Sequence, residues 1–96
     1  MATPLDEAEK AGLADTHPDW DIHGEEMTRT LTFDDFAEAV GFVVRVAFAA
    51  EAADHHPDID IRWNRVILTL STHSAKALTD LDTELASTID AMVAEA

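Results

Sequence analysis

The stretch AADHHPDIDIRWNRVILTLSTH, residues 52–73, decides the fold, because it contains the end of a helix, a proline stop and two alternating segments in succession. Pro57 has no amide hydrogen to donate and pushes the residue before it toward extended backbone. A helix arriving through Ala52 and Ala53 must therefore stop before the His56-Pro57 pair. Beyond it, Ile59, Ile61 and Trp63 alternate with Asp60 and Arg62; after a tight turn at Asn64, Val66, Leu68 and Leu70 alternate with Ile67, Thr69 and Ser71. Alternation with a period of two separates the faces of a strand, so the spacing predicts an antiparallel hairpin with Trp63 in the core beside Ile59 and Ile61.

Upstream, Thr32-Phe33-Asp34-Asp35 has the form of a capping box that opens a long helix running through Ala53. On a wheel of about 100° per residue, Phe36, Val40, Val43, Ala47 and Ala50 form an apolar stripe that Phe42, Val46 and Ala49 widen. Asp34, Glu38 and Arg45 remain as a narrow charged edge. An apolar arc that wide exceeds what one small sheet covers, so part of it is expected to pack against another subunit, as a homodimer or homotetramer.

Nearer the N-terminus, Trp20–His23 alternates apolar with polar, Gly24 supplies a turn, and Met27–Phe33 is threonine-rich with nearly the same period. These segments predict another hairpin, with Arg29 on its apolar side. Thr3 as a cap, Pro4 in the first turn and Gly12 near the end predict a short helix over residues 4–12. Downstream, Thr79 caps a last amphipathic helix, with Asp82 at the third position of the cap and Leu81, Leu85, Ile89 and Met92 on one face.

The order helix, two strands, helix, two strands, helix predicts an α+β fold: a four-stranded antiparallel sheet with two long helices on one face, plus a short N-terminal helix. Ninety-six residues suffice for one domain, 1–96, in which 1–18 is a lead-in helix and linker. Twenty acidic against six basic residues leave a net charge of −14, which repels phosphate backbones and anionic membrane surfaces. Nucleic acid and membrane partners are therefore not expected. The chain has no cysteine, so disulfides and thiolate metal sites are excluded. No apolar run reaches the roughly 18 residues that span a bilayer, and the expected location is cytoplasmic.

The chemistry concentrates at His55-His56-Pro57 and His73. Two adjacent imidazoles on a constrained turn point in different directions, and His73 falls at the end of the fourth strand, on the face opposite Val66, Leu68 and Leu70. A fold that brings the helix end to the strand end would cluster all three. Imidazole titrates near neutral pH and can both give and take a proton in one cycle. Glu51 and Asp54 stand in the last helical turn, where the macrodipole disfavours negative charge by a few tenths of a kcal/mol or more. They are there either to hold imidazolium or because acids are everywhere in so acidic a chain.

Asp82 is accounted for by its cap, His17 and His23 read as surface residues, and Trp20 reads either as core or as a stacking platform. Three imidazoles around an open position could activate water on zinc, but no His-x-His or His-x-x-x-His pair is present, so no metal is expected.

One spacing is more specific than this chemistry. Glu51, three residues, His55-His56-Pro57, five residues, Trp63, nine residues, His73, eight residues and Asp82 together resemble the signature of the pterin-4a-carbinolamine dehydratases. The likeness extends through Phe33-Asp34-Asp35-Phe36, Gly41-Phe42, Arg45-Val46-Ala47, Leu70-Ser71-Thr72-His73 and Leu85-Ala86, roughly residues 20 to 93.

The resemblance implies the same α+β fold, a dimer or tetramer, and loss of water from a 4a-hydroxytetrahydropterin to give the quinonoid dihydropterin. It implies His55, His56 and His73 as catalytic residues around the pterin, with Glu51, Asp54 and Asp82 as substrate-site acids supporting them, and no metal or organic cofactor. Relatives on this scaffold that act as dimerisation cofactors or Rubisco assembly factors supply the alternative, a non-catalytic interaction protein.

Overall fold

Asp6 and Glu9 start the first helix by reciprocal capping: the Asp6 carboxylate accepts the Glu9 N–H at 2.8 Å and the Glu9 carboxylate accepts the Asp6 N–H at 3.0 Å. This helix, α1 (Glu7–Thr16), therefore begins and ends later than the expected 4–12. Pro4 instead forms a bridge with Thr79, and Gly12 lies inside the helix, a position that costs about 1 kcal/mol relative to Ala but does not end it. The structure, a computed structural model, describes residues 2–95.

The strands are β1 (Asp21–His23), β2 (Glu26–Thr32), β3 (Asp58–Arg62) and β4 (Arg65–Leu70), antiparallel throughout in the order β1-β2-β4-β3. The long helices are α2 (Phe36–Ala53) and α3 (Asp80–Glu95). Both hairpins and both long helices thus occur in the expected order, in an α+β fold. In the central pairing Leu31 lies opposite Val66, and Met27 opposite Leu70. Their side chains meet Phe42 and Val46 of α2 and Leu85 and Ile89 of α3 in one core. Phe42, Met27, Leu68 and Leu70 are fully buried, each stabilising the fold by about 1.5–3 kcal/mol.

Several local expectations are corrected by packing. The cap of α2 is Asp35, whose carboxylate accepts the Glu38 N–H at 2.8 Å, and not Thr32. Phe33 cannot enter the helix because it is tied to the β3–β4 turn, donating its N–H to the Asn64 carbonyl and accepting from the Asn64 amide. The stripe of α2 that is buried is Ala39, Phe42, Val46 and Ala50, while Phe36, Val44 and Phe48 are exposed, Phe48 by 74%.

Trp63 is not core: it stands in the β3–β4 turn with a left-handed φ of 54° and is 71% exposed. A two-residue hairpin connection needs positive φ, and the turn takes it at Trp63. Trp20, by contrast, is buried and donates its indole N–H to Asp90 at 2.8 Å. Arg29 does lie on the core side of β2, where Asp90 of α3 reaches it at 2.5 Å. His17 is not a surface residue but is buried between α1 and α3, with its Nε2 3.0 Å from the Ser87 hydroxyl.

Candidate active site

The end of α2 is built to reverse the chain. Asp54 adopts left-handed backbone, φ 50° and ψ 42°, and its N–H reaches the Ala50 and Glu51 carbonyls, while the His55 N–H also bonds to Ala50. Asp tolerates this conformation better than most non-glycine residues because its short polar side chain can bond locally. After the reversal the two imidazoles part: His55 turns inward and is 8% exposed, and His56 faces outward.

His55 Nε2 lies 2.5 Å from Asp82 Oδ1. Asp82, in the first turn of α3, is completely buried. Its other oxygen, Oδ2, accepts the Thr72 hydroxyl at 2.8 Å and the Thr79 N–H at 2.9 Å. Helix-end dipole and donated hydrogen bonds both suit a negative carboxylate at that place. Asp82 is thus more than a cap: it ties α3 to the end of α2 and to the segment after β4.

His56 Nε2 lies 2.7 Å from Glu51 Oε1, and both side chains are more than half exposed. His73 sits beyond the end of β4, in the turn that runs from Thr72 to Ala77. Its Nε2 is 3.8 Å from Asp58 Oδ2, also in the open. Exposed pairs of this kind contribute about 0–1 kcal/mol to stability, so these two groups are available for other work.

Each of the three histidines therefore has its own carboxylate: Asp82, Glu51 and Asp58. Because Thr72 bonds to Asp82 and precedes His73, the strand end and the helix end come together. Asp54 contributes an exposed position and the backbone reversal. Asp58 did not stand out in the sequence; its signal is an acid one residue past His55-His56-Pro57, at the start of a strand whose partner ends near His73.

Among the described residues no three His, Asp or Glu side chains converge as a metal site. Two concavities, of about 590 and 380 Å³, flank α1 away from the cluster, the first between Lys10, Ile22 and Glu25. Of the three histidines, His55 is buried with 8% exposure, while His56 and His73 are open to solvent. Imidazoles so placed can donate and accept protons on a bound ligand.

A family model described as pterin 4 alpha carbinolamine dehydratase matches residues 3–92. A relative from Chloroflexus aurantiacus, provisionally named a pterin-4-alpha-carbinolamine dehydratase, is 52% identical over 86 residues, covering 90% of this chain and 92% of the relative. One from Nocardia farcinica with the same provisional name is 52% identical over 92 residues, covering 94% and 96%.

Among solved structures, a transcriptional coactivator/pterin dehydratase from Brucella melitensis superposes with a TM-score of 0.87 at 36% identity, covering 93% of this chain and 97% of that one. A pterin dehydratase-like RuBisCO assembly factor of the alpha-carboxysome shares the fold, with a TM-score of 0.61 at 19% identity over 75% of this chain and 83% of its own.

Proposed function

The chain belongs to the pterin 4 alpha carbinolamine dehydratase family, and from that premise we propose that it is a hydro-lyase that dehydrates a 4a-hydroxytetrahydropterin to the quinonoid dihydropterin, in pterin cofactor recycling. The observation that carries this reading is the set of three histidines, each with a separate carboxylate. The 4a hydroxyl leaves as water once an acid protonates it, and a ring nitrogen gives up its proton as the double bond forms. Imidazoles do both jobs near neutral pH.

In this scheme His55 and His73 share the acid and base roles, and His56 orients the pterin. Glu51 and Asp58 hold His56 and His73. Asp54 acts by shaping the turn, and Asp82, having no exposed surface, acts through His55 instead of touching the pterin. The scheme calls on no metal and no organic cofactor.

The assay is dehydration of synthetic carbinolamine followed by absorbance. Wild type is expected to accelerate it, and His56→Ala and His73→Ala are each expected to lose about 10²–10⁴-fold in kcat/KM. If both variants retain the wild-type rate, the site assignment is wrong; a wild type without activity sinks the enzyme reading.

The exposed side chains Phe36, Val44 and Phe48 on α2 support a homodimer or homotetramer, although Val44 and Phe48 lie outside the arc expected from the wheel. The same side chains, and the coactivator role named for the Brucella relative, support a second reading, a non-catalytic interaction or assembly factor on the same scaffold. No helix among the described residues is long and apolar enough to cross a membrane.

A further inference from the structure

The hydrogen bonds behind His55 form a chain whose direction can be counted. As a carboxylate, Asp82 only accepts. Its Oδ2 takes the Thr79 N–H at 2.9 Å and the Thr72 hydroxyl proton at 2.8 Å. A threonine has one hydroxyl proton, so Thr72, 2.6 Å from the Thr79 hydroxyl, must accept there and Thr79 must donate. Thr79 can do so because its own oxygen is met by the Leu81 N–H at 3.2 Å. Every proton in the chain therefore runs toward Asp82.

The remaining oxygen, Oδ1, faces His55 Nε2 at 2.5 Å, and against a carboxylate that nitrogen must carry the proton. The other ring nitrogen, Nδ1, makes no hydrogen bond among the described residues, yet no buried side-chain nitrogen or oxygen is left without a partner. Nδ1 therefore retains access to solvent. We propose that the Thr72 and Thr79 hydroxyls are positioning groups that commit Asp82 as an acceptor and hold His55 as its Nε2–H tautomer, so that Nδ1 is the nitrogen that exchanges protons with substrate. The role of Nδ1 in turnover rests on the dehydratase reading; the tautomer and its cause do not.

The physical reason Thr72 matters is that donated hydrogen bonds favour the charged form of a buried carboxylate. Without the Thr72 hydroxyl, Oδ2 keeps only the Thr79 N–H as a donor. A protonated Asp82 donates to Nε2, and His55 must then carry its own proton on Nδ1, the opposite tautomer. Nδ1 would no longer be basic.

The experiment is a long-range ¹⁵N–¹H correlation spectrum of the full chain with labelled histidine, taken at a pH where imidazole is neutral, with His55→Gln to identify the signals of residue 55. Wild type is expected to show a protonated Nε2 and a lone-pair Nδ1 at His55. In Thr72→Val the two shifts are expected to move toward each other, with kcat down about 10–100-fold and KM within about twofold, as supporting partners of reactive groups typically show. Thr72→Ser, which restores the hydroxyl, is expected to restore both.

A wild-type spectrum with the proton on Nδ1 overturns the proposal, whatever the activity. So does a folded Thr72→Val with an unchanged tautomer. If Thr72→Val does not fold, the wild-type spectrum still decides the tautomer, and Thr79→Val, which removes the donor to Thr72 from the far end, decides the cause by the same shifts. A wild type with the expected tautomer and no dehydratase activity would remove the function and leave the positioning intact.

Discussion

Replacing Asp82 with Asn changes one buried group while leaving its shape, and the consequences can be worked out atom by atom. The side chain is fully buried and has three donors around it: His55 Nε2, the Thr72 hydroxyl and the Thr79 N–H. An Asn satisfies Thr72 and Thr79 only if its carbonyl takes the place of Oδ2, which puts the amide against Nε2. That nitrogen must then accept, and His55 is forced to carry its proton on Nδ1.

Three charge-assisted hydrogen bonds, each worth about 1.5–3 kcal/mol, give way to neutral ones worth about 0.5–1.5 each, so the fold should lose about 1 kcal/mol per bond, roughly 3 in all. For a domain of this size each kcal/mol lowers Tm by roughly 4–8 °C. Activity should fall as well, by about 10²–10⁴-fold in kcat, the usual worth of a proton-transferring group. Asp82→Ala is the contrast: it leaves buried donors unpaired and should cost about 3–5 kcal/mol, so its lost activity would say little. Urea unfolding and the carbinolamine assay on the same Asn preparation separate the two effects. An Asp82→Asn variant that is folded and dehydrates at the wild-type rate would refute the reasoning.

Two further expectations concern parts remote from the histidines. Phe48→Asp places a charge at a side chain 74% exposed on α2, so it should dissociate a homo-oligomer without unfolding the protomer, read by light scattering on a sizing column; an unchanged mass would exclude that surface of α2 from the interface.

The pair Lys10–Glu25 pins α1 to the β1–β2 turn. Hydrogen bonding to Lys10, then to the Leu78 N–H, holds the Glu25 carboxyl below its usual value of 4.5, while the bonds to Glu25 and Glu7 raise Lys10 above 10.5. A lowered carboxylate stabilises above its unfolded value and loses that contribution as pH falls through the folded one, and a raised ammonium loses its own as pH rises through its folded value. The difference in urea midpoint between wild type and Glu25→Gln should therefore be constant around neutrality and shrink in acid below the usual carboxylate value; a difference independent of pH down to full protonation would show that the pair does not contribute.

Much of the fold was legible because hydrogen-bonded elements carry a local period. Alternation at Ile59–Leu70 and the wheel of residues 36–53 mark a hairpin and a helix whatever they pack against. What local pattern did not reveal was which part of a wide apolar arc turns inward. Phe36 and Phe42 are both phenylalanines on one helix, and only the placement of the sheet buries Phe42 and leaves Phe36 exposed. Trp63 followed the strand period but fell on the turn, where the demand for positive φ overrides hydrophobicity. His17 gave no local signal of its bond to Ser87, seventy positions away.

For the site, the sequence by itself determined which residue types stand together and that a helix must end between them: His55-His56-Pro57 after Glu51 and Asp54, with His73 and Asp82 at family spacing. Those are properties of covalent order and proline geometry, which need no neighbour. Only the tertiary structure decided which acid serves which histidine, that Asp58 joins them, and that Asp82 is sealed behind His55. Hydrogen-bond direction depends on partners brought together from separate elements, so the protonation pattern of His55 comes into being only when α3 docks against the end of α2.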